Sequence, residues 1–368
     1  MENVPLWEDG RWTPTPPLAG EIAADVCVVG LGGSGLACLD ELVSLGLRAV
    51  GIDAGLVAGG AAGRNGGFLR AGLPAFHHEA VARYGRERAA RLYRLTVRER
   101  ERMVLEWPAI VRRTGCLRAA SDAEEVRDCR RQYEALRADD LPAAWYDGPL
   151  GTGVFVPDDA ACNPLARCRA QAVALRARGA RLFERSAAVR VTGTLVETAA
   201  GRIRCHGVVV CVDGGLGQVL PELGDLSRPA RLQMLAAAPD PARAKPAAVG
   251  TRWGWDYWQQ TAHGVVALGG CRDVAGDAEW TADPSPSPIV QDALERRLRD
   301  RLHVTTPITH RWAAVVSYTD DGLPLFREVR PRVWALGAYS GTGNLLGAML
   351  GRAAARCLSG GAGESPLG

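Results

Sequence analysis

The feature that most constrains the fold of this chain is a glycine-rich turn between two short apolar runs, residues 26–29 and 49–52. A strand that turns tightly into a helix needs one glycine for the turn, one for close approach to a pyrophosphate and one for helix packing. The pattern predicts a βαβ unit that binds a dinucleotide at the N-terminus of its helix. The predicted contacts in the turn are Gly30, Gly32, Gly33, Ser34 and Gly35.

Asp53 narrows the choice of dinucleotide. It follows the second apolar run, about 20 residues after the glycines, where such folds place a ribose-binding carboxylate. A carboxylate there accepts hydrogen bonds from the 2′-hydroxyl and repels a 2′-phosphate, which disfavours NADP and leaves NAD or FAD. The neighbouring Ala54 is included among the predicted cofactor contacts.

A second glycine-rich run, residues 59–68, favours FAD over NAD. A NAD-dependent dehydrogenase usually continues from its second strand into further strand and helix repeats, whereas this run lets backbone lie against a flat ligand. A mobile surface loop is the alternative interpretation of this run alone. The predicted cofactor contacts in it are Arg64, Asn65, Gly66 and Gly67.

The motifs VVGLGGSG, GIDAG and GRNGGF, with blocks farther along the chain, resemble a family of FAD-dependent amine and amino-acid oxidoreductases. That family includes D-amino-acid oxidase, glycine oxidase, sarcosine oxidase and γ-glutamylputrescine oxidase, and GRNGGF looks most like the last of these. The further blocks are residues 153–158, 163–165, 264–270, 311–314, 319–324 and 337–344.

The resemblance implies an α/β fold (α+β overall), with a Rossmann-like FAD-binding domain and a discontinuous antiparallel-sheet substrate domain. It implies that flavin N5 accepts a hydride from the carbon of a C–N bond, giving an imine that water hydrolyses, with O₂ or another acceptor reoxidising the flavin. Backbone near the flavin pyrimidine and the adenine is implied at Gly337, Gly341, Thr342, Gly343, Asn344 and Val189.

Family position also implies the substrate contacts. Tyr257 and Tyr339 are the predicted catalytic contacts, Trp255 and Trp258 the predicted pocket walls, and Arg70 a predicted cationic contact. Because side chains alternate along a strand, Tyr257 and Trp255 share one face and Trp258 points the other way. One of the two tryptophans is therefore expected in the core.

Positions at which this sequence differs from the family narrow the class of substrate that it is expected to bind. Glycine oxidase carries two arginines that hold a substrate carboxylate, and the matching places here are Val316 and Ser340 or Gly341. A simple α-amino acid is therefore disfavoured, and an amine, or a secondary amine with a distant carboxylate, is favoured. By resemblance to the family, covalent attachment of the flavin would need a cysteine in 316–319 or a histidine in 59–68, and neither is present. We therefore expect non-covalent FAD.

The elements predict a discontinuous division of the chain. The FAD-binding domain is expected from residues 21–80, 151–220 and 310–358. Residues 81–150, helical by composition, and 221–309 are expected to form the substrate domain. Residues 1–20 are an N-terminal extension and 359–368 a flexible tail.

Composition excludes several classes of protein. The chain is 47% apolar and 23% charged with net charge +3, which is ordinary for a globular protein and too weak to argue for nucleic acid or a membrane. No leader or membrane-spanning pattern is present, which predicts a cytoplasmic location. Ten cysteines without a CxxC pair and six histidines without ligand spacing predict reduced thiols and no metal.

The stretch 83–102, rich in arginine, leaves an alternative open. Apolar residues interleave with its charges, which favours an amphipathic helix with a solvated face over an RNA-binding helix. An RNA-modifying flavoprotein, an accessory flavoprotein without catalysis and a NAD-only dehydrogenase remain as alternative functions.

Overall fold

The computed structural model describes residues 3–240, 247–360 and 366–367. The chain divides into two compact units, each assembled from three segments. The fingerprint unit comprises residues 9–63, 164–230 and 315–368. The large-sheet unit comprises residues 1–8, 64–163 and 231–314.

The secondary structure alternates strands and helices along most of the chain. The strands are β1 (Gly20–Ala23), β2 (Val26–Val29), β3 (Ala49–Ile52), β4 (Phe68–Leu69), β5 (Val111–Arg113), β6 (Cys116–Ala119), β7 (Ala144–Gly148), β8 (Gly151–Val156), β9 (Ala160–Cys162), β10 (Arg181–Phe183), β11 (Arg190–Val191), β12 (Leu195–Glu197), β13 (Gly201–Arg204), β14 (Gly207–Val210), β15 (Arg228–Ala237), β16 (Ala248–Thr251), β17 (Asp256–Gln260), β18 (Val266–Gly270), β19 (Ile308–Tyr318), β20 (Leu325–Arg330) and β21 (Val333–Gly337). The helices are α1 (Gly33–Ser44), α2 (Ala61–Arg64), α3 (His77–Tyr84), α4 (Arg86–Glu106), α5 (Ala123–Ala138), α6 (Pro164–Ala177), α7 (Leu216–Val219), α8 (Pro288–Asp300) and α9 (Gly343–Leu358).

The main sheet of the fingerprint unit has the order β10-β3-β2-β14-β21-β20. Its first five strands pair in parallel, and β20 joins β21 antiparallel. Every residue of β2, β3 and β14 is buried, which their continuous apolar sequences require of parallel strands covered on both faces. The predicted α/β class with a Rossmann-like sheet is confirmed.

The large-sheet unit has eight strands in the order β19-β15-β18-β17-β16-β6-β8-β7. Most described pairs are antiparallel, and β16 and β6 run parallel. One face of this sheet packs against α8, where Trp258 and Leu268 lie in a core with Val290, Leu294 and Leu298. This packing leaves the opposite face to the side chains that alternate with these core residues.

The arginine-rich stretch 83–102 lies in two helices rather than one. Gly85, with φ of 82°, separates α3 from α4. The predicted apolar face of α4 is confirmed, because Ala89, Leu92, Tyr93 and Met103 are buried. Arg100 is buried as well and lies 2.7 Å from Asp159 in an ion pair. Arg100 therefore forms a buried ion pair inside the large-sheet unit and does not belong to a solvent-exposed face.

The unit boundaries differ from the expected ones. The chain passes between units after residues 8, 63, 163, 230 and 314, whereas the expected changes were after 20, 80, 150, 220 and 309. The reason is strand pairing, since β4 pairs with β9 and β8 pairs with β6, all within the large-sheet unit. Segment 81–150 also supplies strands β5, β6 and β7 besides its helices. The predicted tail falls partly on residues 361–365 and 368, which lie outside the described residues.

No helix among the described residues has the length and apolar content needed to cross a membrane. Across residues 3–240, 247–360 and 366–367, no group of three or more histidine, cysteine or acidic side chains is arranged to hold a metal. All ten cysteines are free thiols, and nine of them are buried.

Candidate active site

The fingerprint turn has the close contacts that its glycines predict. Gly30 follows β2 with φ of 105°, and a Cβ there would lie 2.5 Å from the carbonyl oxygen of Cys211. A Cβ on Gly35 would lie 1.8 Å from the carbonyl oxygen of Gly30. The turn can therefore form only without side chains at these positions. Gly32 is the N-cap of α1, so the helix N-terminus and its unpaired N–H groups follow directly.

Asp53 lies beside this turn. It follows β3, and its carboxylate accepts hydrogen bonds from the Leu31 N–H at 2.7 Å and the Gly55 N–H at 2.8 Å. Burial raises the pKa of the Asp53 carboxyl above its usual value, while the two N–H donors oppose the rise. The adjacent Ala54 is exposed. The carboxylate is thus held in place by backbone at the carboxyl edge of the parallel sheet.

Sequence reasoning missed Arg167. This arginine of α6 is 2% exposed, and its Nη2 lies 3.1 Å from the place of a Cβ on Gly33, the first residue of α1. Its partners are neutral: Gln171 Oε1 at 3.5 Å and Cys168 Sγ at 3.2 Å, while its Nε has no hydrogen-bond partner among the described residues. A buried cation beside a helix N-terminus is suited to a phosphate anion.

The turn 337–344 leads from β21 into α9 through unusual backbone. Ala338, Ser340 and Gly341 have φ of 53°, 49° and 84°. Such angles cost about 1–3 kcal/mol each for residues other than glycine, so the surroundings must hold them. Thr342 Oγ1 donates to the Tyr339 carbonyl at 2.7 Å, and the Asp213 carboxylate accepts the Tyr339 N–H at 3.4 Å. Gly337, Gly343 and Asn344 complete this segment.

Tyr339 is buried beneath the fingerprint turn. Its hydroxyl donates to Ser34 Oγ at 2.7 Å, and its ring lies against Gly343 and Gly347 of α9. Burial raises the pKa of the Tyr339 phenol well above its usual value. The Tyr339 side chain therefore links the turn 337–344 to the fingerprint turn within the fingerprint unit. Its predicted substrate contact stays a prediction.

Asp213 makes the stability of this turn depend on pH. Burial raises its pKa to about 6 from 3.8, so between these pH values the folded chain holds a proton that the unfolded chain has lost. Stability is therefore lost as the pH rises through this window. We expect wild type to lose about 1.4 kcal/mol relative to Asp213→Asn between pH 5 and pH 7.5, measured by denaturant unfolding. Parallel pH profiles for the two proteins would contradict this assignment.

The second glycine-rich run lies in the large-sheet unit. Arg64 donates to the Ala313 carbonyl at 2.9 Å and to the Asn3 carbonyl at 2.9 Å, and Asn65 Oδ1 accepts the Gly67 N–H at 2.7 Å. Burial lowers the pKa of the Arg64 guanidinium. Arg64 therefore holds the chain near residue 3 to the middle of β19, and Asn65 fixes the backbone of its own loop. The predicted cofactor contacts of Arg64, Asn65, Gly66 and Gly67 stay predictions.

Val189 is exposed and lies just before β11. Its side chain is 69% exposed, and its N–H donates to the Glu197 carbonyl at 2.8 Å. The backbone amide at this position is therefore used within the small sheet β1-β13-β12-β11. Its predicted adenine contact stays a prediction.

The predicted substrate residues of the large-sheet unit separate into three places. Tyr257 lies on β17 with its ring against Gly66 and edge-on to Phe68 at 5.8 Å. Trp258 lies in the core on the opposite face, as the alternation predicted for one tryptophan. Trp255 precedes the strand, is 40% exposed, and has the Arg272 guanidinium 5.0 Å from its ring centre. Tyr257 therefore lies on the face away from α8, whereas Trp255 lies before the strand begins.

Comparison with known proteins agrees with this fold and these motifs. Residues 25–357 match the DAO family, described as FAD dependent oxidoreductase. γ-Glutamylputrescine oxidoreductase of Escherichia coli (strain K12) is 26% identical, with 95% of this chain and 87% of that protein covered.

Solved structures show the same fold. Glycine oxidase from Geobacillus kaustophilus has a TM-score of 0.76 at 18% identity, covering 93% of this chain and 96% of that one. An L-amino acid deaminase from Proteus vulgaris, without its specific insertion, has a TM-score of 0.78 at 18% identity, covering 99% and 98%. The chain therefore belongs to the DAO family of FAD-dependent oxidoreductases, as its motifs predicted, and its cofactor is FAD.

Proposed function

We propose that this protein oxidises a C–N bond of an amine or amino acid. Bound FAD supplies the hydride acceptor at N5, and water hydrolyses the resulting imine. The observation that supports this most is the match along nearly the whole chain to a γ-glutamylputrescine oxidoreductase, together with the glycine contacts of the fingerprint turn. The reoxidising acceptor is O₂ or another electron acceptor, and a cytoplasmic location stays a prediction.

The fingerprint unit provides the cofactor site in this proposal. The turn Gly30–Gly35 and the N-terminus of α1 hold the pyrophosphate, and Arg167 supplies a buried counter-charge beside Gly33. Asp53 binds the ribose hydroxyls through the carboxylate oxygens that face the turn. The strained backbone of 337–344, fixed by Asp213, would offer N–H groups to the flavin pyrimidine.

The large-sheet unit provides the substrate face. Tyr257 lies on the sheet face away from α8, where its hydroxyl can orient a substrate and its ring can exclude water. The rings of Tyr257 and Phe68 lower the pKa of an amine beside them by desolvation and so favour the neutral amine, the form that can lose a hydride. The absence of arginine at Val316 and at Ser340 or Gly341 favours an amine, or a secondary amine with a distant carboxylate, over a simple α-amino acid.

The test is the visible spectrum of the purified holoprotein, followed without oxygen while substrates are added. We expect the long-wavelength flavin band to bleach with one class among primary amines, N-methyl amino acids and D-amino acids, because hydride transfer reduces the flavin. Admitting air or an artificial acceptor then shows which oxidant restores the band. Denaturation followed by filtration is expected to release the flavin, since no covalent bond is predicted.

A matched variant tests Tyr257 in the same assay. Tyr257→Phe keeps the ring and its edge contact with Phe68, so flavin content should be unchanged while bleaching slows. A flavin that no amine bleaches would contradict the proposal and support an accessory flavoprotein. Co-purified RNA with salt-sensitive affinity would support the RNA-directed alternative.

A further inference from the structure

Two arginines lie on the same face of the large sheet as Tyr257. Arg118 of β6 pairs with Gly250 of β16, which pairs with Tyr257 of β17. Residues paired directly across neighbouring strands point to the same face. Gly250 leaves a gap between the two side chains, and Arg70 Nη1 lies 3.7 Å from the place that a Cβ on Gly250 would occupy. The row is therefore Arg118, the Arg70 guanidinium and Tyr257.

These arginines line a small buried cavity. Its volume is about 20 Å³, enough for one water-sized group such as a carboxylate oxygen. Tyr93, Cys116 and Asp159 also line it. The cavity belongs entirely to the large-sheet unit.

Neither arginine has a carboxylate partner among the described residues. The Arg118 guanidinium stacks over the Phe76 ring at 4.2 Å, and burial together with Arg70 lowers its pKa well below the usual value. Asp159 supplies a single negative charge here: it is paired with Arg100 at 2.7 Å, accepts the Ala71 N–H at 3.1 Å and attracts Arg70 electrostatically, and its Oδ2 has no hydrogen-bond partner among the described residues. One carboxylate cannot balance three arginines.

The other ionisable groups at this cavity leave the excess positive charge in place. His77 lies 2.7 Å from Asp139 in a buried pair. Burial raises the pKa of Tyr93 and of Cys116, so both stay neutral. Arg70 and Arg118 are both half-buried, and two such cations near each other repel unless an anion joins them.

We infer that Arg118 and Arg70 bind a carboxylate of the substrate at this face of the sheet. Two strand spacings separate Arg118 from Tyr257, which is about 10 Å. A substrate that contacts both therefore carries its carboxylate several bonds from the nitrogen. This inference rests on the proposed function and refines its substrate class to amines with a remote carboxylate.

Butanoate and its neutral analogue butanamide test the site in the purified holoenzyme by titration calorimetry. We expect wild type to bind butanoate more tightly than butanamide. Arg118→Met should weaken butanoate binding by about tenfold or more, Arg70→Met should weaken it as well, and Arg118→Lys should lose less because it keeps the charge. The control Arg98→Met removes an exposed arginine of α4 and should leave binding unchanged.

Two further readouts separate binding from a structural role. Removing a half-buried charge that has no carboxylate partner among the described residues should leave the melting temperature of Arg118→Met equal to or above that of wild type. With a carboxylate-bearing amine substrate, KM should rise and kcat should change little. Equal binding of butanoate and butanamide by wild type, or wild-type butanoate affinity in Arg118→Met, would overturn the inference.

The outcome is separable from that of the proposed function. Butanoate has no amine, so its binding is measured whether or not any amine is oxidised. Amine oxidation without preferential butanoate binding rejects the arginine site alone. Butanoate binding without amine oxidation rejects the proposed reaction alone.

Discussion

Replacing Gly35 with alanine is expected to abolish FAD retention. The new Cβ would lie 1.8 Å from the Gly30 carbonyl oxygen, so either α1 or the end of β2 must shift. A collision with backbone cannot be relieved by a rotamer change, and we expect a loss of about 3 kcal/mol or more of stability in the fingerprint unit. The ratio of flavin to protein absorbance after gel filtration measures the loss directly.

Gly224→Ala is the matched control for this substitution. Gly224 belongs to the same unit, and a Cβ there would meet nothing within 4 Å. The control should retain wild-type flavin content and unfold at the wild-type temperature. Full flavin content in Gly35→Ala would mean that the turn is not where the pyrophosphate binds.

Replacing Arg167 with methionine is expected to weaken FAD binding by roughly 10- to 100-fold. Hydrogen bonds to charged groups contribute about 1.5–3 kcal/mol, which corresponds to that range. The same change should stabilise the apoprotein, because the described residues give Arg167 no carboxylate partner and only neutral groups within reach. Fluorescence titration of the apoprotein with FAD and thermal unfolding without FAD measure the two effects.

The opposite signs of these effects distinguish a phosphate ligand from a structural arginine. A structural role would make Arg167→Met less stable with and without FAD. Arg176→Met is the control, since Arg176 is exposed on the same helix α6 and should change neither quantity. Arg167→Lys should fall between wild type and methionine, because lysine keeps the charge without the planar guanidinium.

Sequence predicted the fingerprint because its requirements are local. The tight turn at Gly30 and the close packing of Gly35 on Gly30 follow from a few neighbouring residues, whereas the contact of Gly30 with Cys211 is remote in sequence. Arg167 could not be found in this way, since its position beside Gly33 depends on α6 packing against α1 from a distant part of the chain. No local pattern distinguishes it from Arg176, an exposed arginine of the same helix.

The face of β17 shows the same limit. Alternation along the strand predicted that Tyr257 and Trp258 point to opposite sides. Which side is apolar is decided by α8, a helix later in the chain, whose Val290 and Leu294 pack with Trp258. Likewise, the partners of Arg64 at Asn3 and Ala313 are remote in sequence, so its anchoring role could not be read from the motif GRNGGF.

The packing of α9 on α1 fixes when the cofactor site can be completed during synthesis. The Tyr339 hydroxyl bonds to Ser34, which the ribosome adds 305 residues earlier, and Gly351 brings α9 so close that a Cβ would lie 2.1 Å from the Ser34 carbonyl oxygen. The fingerprint turn therefore lacks the contacts of Tyr339 and Gly351 with Ser34 until almost the whole chain has been synthesised. The site is therefore complete only after α9 has been synthesised, and a substitution in α9 can disturb the fingerprint turn near the start of the chain.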